Sequence, residues 1–108
     1  MTVLPAATEA LVAALLDRHP VTIAYHGRQR VVCPHAIGCK NGRIILLAYQ
    51  SGGETSTGDL AADPAKRWRW FYIDEIETVA DYDGAWQSAA NYDPTRPFPA
   101  ADALAVAV

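Results

Sequence analysis

The stretch RVVCPHAIGCKNGRIILLAY, Arg30 to Tyr49, decides the fold class. At its centre Lys40-Asn41-Gly42-Arg43 separates two apolar runs, and Asn-Gly supplies the positive φ angles that a tight two-residue turn demands. The reading is a β-hairpin. Its first arm, Arg30 to Cys39, is expected to bend near Pro34 and Gly38, because proline cannot donate to a ladder and is confined to edges and bulges. The second arm, Ile44 to Tyr49, is apolar on both faces and is therefore expected to be covered from both sides.

Working outward, the strand period continues upstream. Val21, Ile23 and Tyr25 alternate with Thr22, Ala24 and His26, and His26 to Gln29, with Gly27, reads as a turn. Before them the period is helical. Thr8-Glu9 offers a cap and an acidic first turn, Leu11, Val12, Leu15 and Leu16 form an apolar stripe, and His19-Pro20 is a stop. A helix over about residues 8–18 follows, positioned to cover one face of the 44–49 strand.

Downstream, residues 51–66 carry Gly, Ser, Thr and Asp without periodicity and read as a loop. Arg67 to Asp74 alternates again, with Arg67, Arg69, Phe71 and Ile73 on one face and Trp68, Trp70 and Tyr72 on the other. After a turn at Asp74-Glu75, Ile76 to Tyr82 reads as a short further strand. Beyond Asn91 come three prolines and an Ala/Val tail, either frayed or docked. One N-terminal α-helix (1–20), a mainly β body (21–83) and a partly irregular C-terminal extension (84–108) make up the expected organisation. About five short strands suit a bent antiparallel sheet closing into a small barrel, which removes exposed edges.

Composition sets the limits. The chain has 108 residues, enough for one modest core, with 51% hydrophobic and 19% charged residues and a net charge of −3. An acidic chain does not bind nucleic acid by bulk electrostatics, so such a partner must meet a local basic patch. No run approaches the ~20 apolar residues of a membrane span, the N-terminus lacks a basic secretory region, and no membrane association is expected. Cys33 and Cys39 are too few for a disulfide framework, so the cytoplasm is the expected location. Cys33, His35 and Cys39 share strand parity, but at ~3.3 Å per residue the two cysteines lie ~20 Å apart on an extended strand. That span is too long for one zinc site or a disulfide, so no metal or cofactor is expected and both cysteines read as small core residues.

Three segments resemble the WYL domain, an Sm-like barrel found mainly in bacterial regulators. They are IAYHGRQRVVCPHAIG (Ile23 to Gly38), NGRIILLAYQ (Asn41 to Gln50) and RWFYIDEI (Arg69 to Ile76), in the family's order and spacing. The departures are Ile44-Ile45-Leu46 in place of the eponymous Trp-Tyr-Leu, and Glu75 in place of the arginine of the family's D-R-I. The resemblance therefore implies a divergent member. With room for a single helix before the barrel, it is not expected to be a self-sufficient DNA-binding repressor.

The resemblance also implies a site. Tyr25, Arg30, His35 and Arg69 match the polar positions that line the family's ligand patch, and a phenol, two guanidiniums and an imidazole suit a phosphate or other oxyanion. The plain alternative is two solvated arginines and a hydrogen-bonded structural histidine. Trp68, Trp70 and Tyr72 read either as a stacking platform for bases or as packing and interface residues, the second being favoured. No nucleophile–base pair or glycine-rich phosphate loop stands out, so enzymatic activity is not expected.

The leading functional expectation is a ligand-sensing module for transcription regulation or a defence-related partner, binding a nucleotide or a short single-stranded nucleic acid. The rival is a protein-interaction module, pairing with a second copy or a regulatory protein through its aromatic face.

Overall fold

The computed structural model describes residues 7–53, 67–89 and 102–106, the last of these by backbone path. In order they form α1 (Ala7–Asp17), β1 (Val21–Tyr25), β2 (Arg28–Lys40), β3 (Arg43–Gly53), β4 (Trp68–Tyr72), a 3-10 turn (Ile73–Glu75), β5 (Ile76–Asp81) and β6 (Asp102–Val106). The Cα radius of gyration is 12.8 Å.

Helix α1 begins at Ala7, one residue before the expected cap, so Thr8 lies inside the first turn with its side chain buried. The helix closes through a left-handed Arg18 (φ 51°), with His19 N–H donating to Ala14 O at 2.8 Å and Arg18 N–H to Leu15 O at 3.3 Å. Those two bonds satisfy the last carbonyls before Pro20 could block them. The buried stripe is Leu11, Ala14 and Leu15, whereas Leu16 is 70% exposed. At ~100° per residue Leu16 is rotated off the face that Leu11 and Leu15 share.

All strand pairings are antiparallel, in the order β4-β3-β2-β1-β5, with β6 added to β2. The first half of β2 pairs with β1 (Val21↔Val32 to Tyr25↔Arg28), and Ala36 to Cys39 pair with β6 along the rest of its length. Part of the Ala/Val tail is thus laddered onto the sheet. The β2–β3 turn is the expected one: Asn41 and Gly42 have φ of 52° and 77°. Register shifts at Val31/Val32 and at Pro34/Ala36 supply the bend expected near the proline.

The expected closed barrel is not what the pairing shows. Closure needs the two end strands of the path to exchange backbone bonds, and among the described residues no ladder joins β4 to β5. The chain instead crosses from β4 to β5 through the 3-10 turn, and β5 pairs with β1 at the other end of the path. The fold is therefore mainly β, one helix on an open, bent antiparallel sheet. The loop expected over 51–66 begins later than foreseen, since β3 runs to Gly53, and residues 54–66 lie outside the described residues.

Strand β3 is covered on both faces. Ile44, Leu46 and Ala48 join Leu11, Leu15, Val21, Ile23, Val32, Phe71 and Ile73 in the main core, although α1 packs chiefly on β2 and β5 rather than on β3 as expected. Ile45 and Leu47 form a second cluster with Ala36, against which Trp68 packs. Phe71 and Ile73 face the core, while Trp70 and Tyr72 are 47% and 39% exposed, as the alternation in 67–74 predicts.

Candidate functional site

Residues directly opposite in an antiparallel pair share a face. Ile23 lies opposite Arg30, and Tyr25 opposite Arg28; with Ile23 fully buried, all four belong to the core-facing side. On β4, Arg69 lies opposite Ala48 and Phe71 opposite Leu46, and Ala48 and Leu46 are core residues. The core face therefore carries Tyr25, Arg28, Arg30 and Arg69 from three strands. Sequence reasoning missed Arg28, although its parity with Arg30 on one strand was a usable signal.

Arg30 is the centre of this group. It is only 5% exposed. Its guanidinium carbon lies 5.6 Å from the centroid of the Tyr25 ring and 5.4 Å from that of Phe71. Its Nε is buried with no hydrogen-bond partner among the described residues. Arginine is almost never buried without a carboxylate or other acceptor, because desolvating a charge costs several kcal/mol. Two ring faces return part of that cost, roughly 0.5–2 kcal/mol each. Burial first, and then the like charges of Arg28 and Arg69, hold the Arg30 guanidinium below its ordinary pKa. The arrangement is a buried cation in a field of cations, which lowers in energy when an anion enters.

Tyr25 and Arg69 are held in place. The Tyr25 hydroxyl accepts the Tyr72 N–H at 3.3 Å, and its ring meets Phe71 edge-on at 4.9 Å. Burial raises the Tyr25 pKa, so the phenol stays protonated and available as a donor. Arg69 Nη1 donates to Trp68 O at 2.9 Å, which fixes one edge of its fork.

His35 has other partners. It sits at the Pro34–Ala36 bulge, 2% exposed, with Nδ1–H donating to Cys33 O at 2.7 Å and Nε2 accepting from the Ser88 hydroxyl at 2.9 Å. A carbonyl can only accept, so the proton of the neutral ring is on Nδ1. The ring stacks on Trp86 and meets Trp68 edge-on, each at 4.7 Å. Burial lowers its pKa.

The position of Glu75 is occupied by an ion network. Glu75 bonds His26 Nε2 at 2.6 Å and Arg43 Nη2 at 2.7 Å, and Arg43 also bonds Asp74 at 2.7 Å. Arg43 lies 3.7 Å over the Tyr72 ring, and His26 stacks on Tyr25 at 4.0 Å. His26 and Arg43, in that order, hold the Glu75 carboxyl below the usual range. No nearby arginine from the 3-10 turn therefore adds to the Arg30 group.

Other sites are sparse among the described residues. Cys33 and Cys39 are free, Cys33 Sγ accepting from Gln87 N–H at 3.3 Å. No group of three or more His, Cys, Asp or Glu is placed to hold a metal ion, and no helix is long and apolar enough to cross a membrane. A cleft of about 400 Å³ lies between α1 and β5, lined by Ala10, Ala13, Ala14, Asp17, His19 and Asp81, and its carboxylates are unsuited to an anion.

Comparison with known proteins agrees with the fold. The WYL domain family model matches residues 6–80. Among solved structures the fold is similar to proteasome accessory factor B/C (PafBC) of Arthrobacter aurescens, with a TM-score of 0.60 and 22% identity. The match covers 86% of this chain and 14% of that one, so the likeness concerns a small part of that protein. No match was found among curated protein sequences.

Proposed function

The chain belongs to the WYL domain family, and we propose that it is a regulatory module that senses an anionic ligand at Arg30. The observation that carries this reading is the burial of the Arg30 guanidinium between Tyr25 and Phe71 with no acceptor at Nε. Arg28, Arg69 and the Tyr25 hydroxyl complete the donor set. Guanidiniums bind phosphate with two parallel bonds, so the ligand is a nucleotide or a short single-stranded nucleic acid. Ligand occupancy alters contact with a transcriptional or defence-related partner, the role the family implies. His35, held at the bulge by Cys33 O and the Ser88 hydroxyl, is left out of the proposed donor set.

Fluorescence anisotropy of a labelled mononucleotide and of short labelled DNA and RNA strands, at low and moderate salt, tests this. Salt-sensitive binding that Arg30→Ala and Arg69→Ala both weaken supports it. Binding that survives both substitutions refutes it.

A second reading rests on the exposure of Trp70 and Tyr72, which suits an interface with a second copy or a regulatory protein. Loss of self-association in Trp70→Ala would favour it.

A further inference from the structure

Three carboxylates stand at the turns beside Tyr25, one of the residues of the Arg30 site. Asp74 and Glu75 stand in the 3-10 turn that follows Tyr72, whose N–H bonds the Tyr25 hydroxyl. Glu77 reaches the turn after Tyr25, accepting the Gly27 N–H at 3.2 Å. The charges of Glu75 and, less strongly, of Arg43 are felt at the Tyr25 phenol. These carboxylates are neutralised only in part. Arg43 serves both Asp74 and Glu75, His26 serves Glu75, and Glu77 meets a backbone N–H. Tyr25 thus stands between a cationic group of Arg28, Arg30 and Arg69 and an anionic rim.

We infer that Asp74, Glu75 and Glu77 are specificity-determining residues that close the Arg30 site on its Tyr25 side to extended polyanions, so that its ligand is a compact anion such as a mononucleotide. This rests on the reading of Arg30 as an anion site. A single phosphate needs only the arginines and does not have to pass Tyr25. A strand carries a charge at every nucleotide, and a strand leaving Arg30 past Tyr25 would bring its next phosphates onto the three carboxylates. Like charges repel, and the repulsion is strongest at low salt.

The test uses two probes and two variants. Thermal unfolding is followed with inorganic phosphate, and anisotropy with a labelled single-stranded hexanucleotide, on the wild type, Arg30→Ala and the double variant Glu75→Gln/Glu77→Gln. Circular dichroism confirms that each variant is folded. The expected result is a phosphate-dependent rise in Tm that Arg30→Ala removes, with weak hexanucleotide binding that tightens about three- to tenfold in the double variant. A phosphate response with equal hexanucleotide affinity in wild type and double variant overturns the acidic boundary and leaves the Arg30 site standing. Absence of any phosphate response in the wild type overturns both.

Discussion

The guanidinium of Arg30 lies over the Phe71 ring, 5.4 Å from its centroid, in the same core that α1 covers. Its Nε is buried without an acceptor among the described residues, and the two ring faces offset only part of the cost of desolvating the charge.

Arg30→Met is therefore predicted to stabilise the chain. Replacing buried ion pairs by apolar side chains of similar volume is often neutral or stabilising by about 1–4 kcal/mol, and a buried cation without a carboxylate partner gains by the same removal of a desolvation cost. For a domain of this size each kcal/mol moves Tm by roughly 4–8 °C. Thermal unfolding in phosphate-free buffer checks this, and a lower Tm for Arg30→Met would show that the charge is compensated.

The histidine at the bulge makes stability depend on pH. Burial lowers the His35 pKa, so between its folded value and the unfolded value of ~6.5 the unfolded chain binds the extra proton. Stability attributable to His35 is complete above ~6.5 and declines as pH falls toward the folded value. Urea unfolding of the wild type at pH 7.5 and 5.5 should show a lower midpoint at the acid pH. In His35→Asn that part of the decline should disappear, while the absolute stability falls through loss of stacking on Trp86.

The β2–β3 turn depends on Gly42. Its φ of 77° is a conformation that L side chains rarely adopt, although no atom lies within 4 Å of an added Cβ. Gly42→Ala should cost about 1–2 kcal/mol through backbone strain alone. Gly42→Asn should cost less, because Asn tolerates the left-handed region. Equal losses in the two variants would mean that the turn relaxes to another type.

The exposed aromatics separate stability from association. Trp70 is 47% exposed, so Trp70→Ser should cost about 1–2 kcal/mol, well below the loss at a fully buried aromatic. Sedimentation velocity at rising concentration then shows whether the residue holds copies together. A large stability loss would place Trp70 in packing instead.

Much of the fold could be read from residue order because its signals are local. The Asn41-Gly42 turn, the period of two in 21–25 and in 67–73, and the two apolar faces of 44–49 each depend on neighbours within a few positions. The closure of the sheet does not. Whether β4 meets β5 depends on how far the sheet bends, and the 3-10 turn between them has no strong sequence signature.

The candidate site was legible in part for a related reason. Tyr25, Arg30 and Arg69 share the core-facing parity of their strands, and parity is visible in sequence. His35 was grouped with them by resemblance, and with Cys33 and Cys39 by alternation. The extra residue at Pro34–Ala36 breaks that alternation, because a bulge shifts every later side chain to the other face. Glu75 was visible as a departure from the family pattern, but its pairing with His26 and Arg43 joins residues 49 and 32 positions away.

The most direct test of the central claim is calorimetric titration of adenosine monophosphate into the wild type and into Arg30→Met, which should remain folded. Saturable binding to the wild type, absent in Arg30→Met, is the predicted result. Equal binding to both proteins, or none to the wild type, would contradict the assignment of Arg30 as the centre of an anion-sensing site.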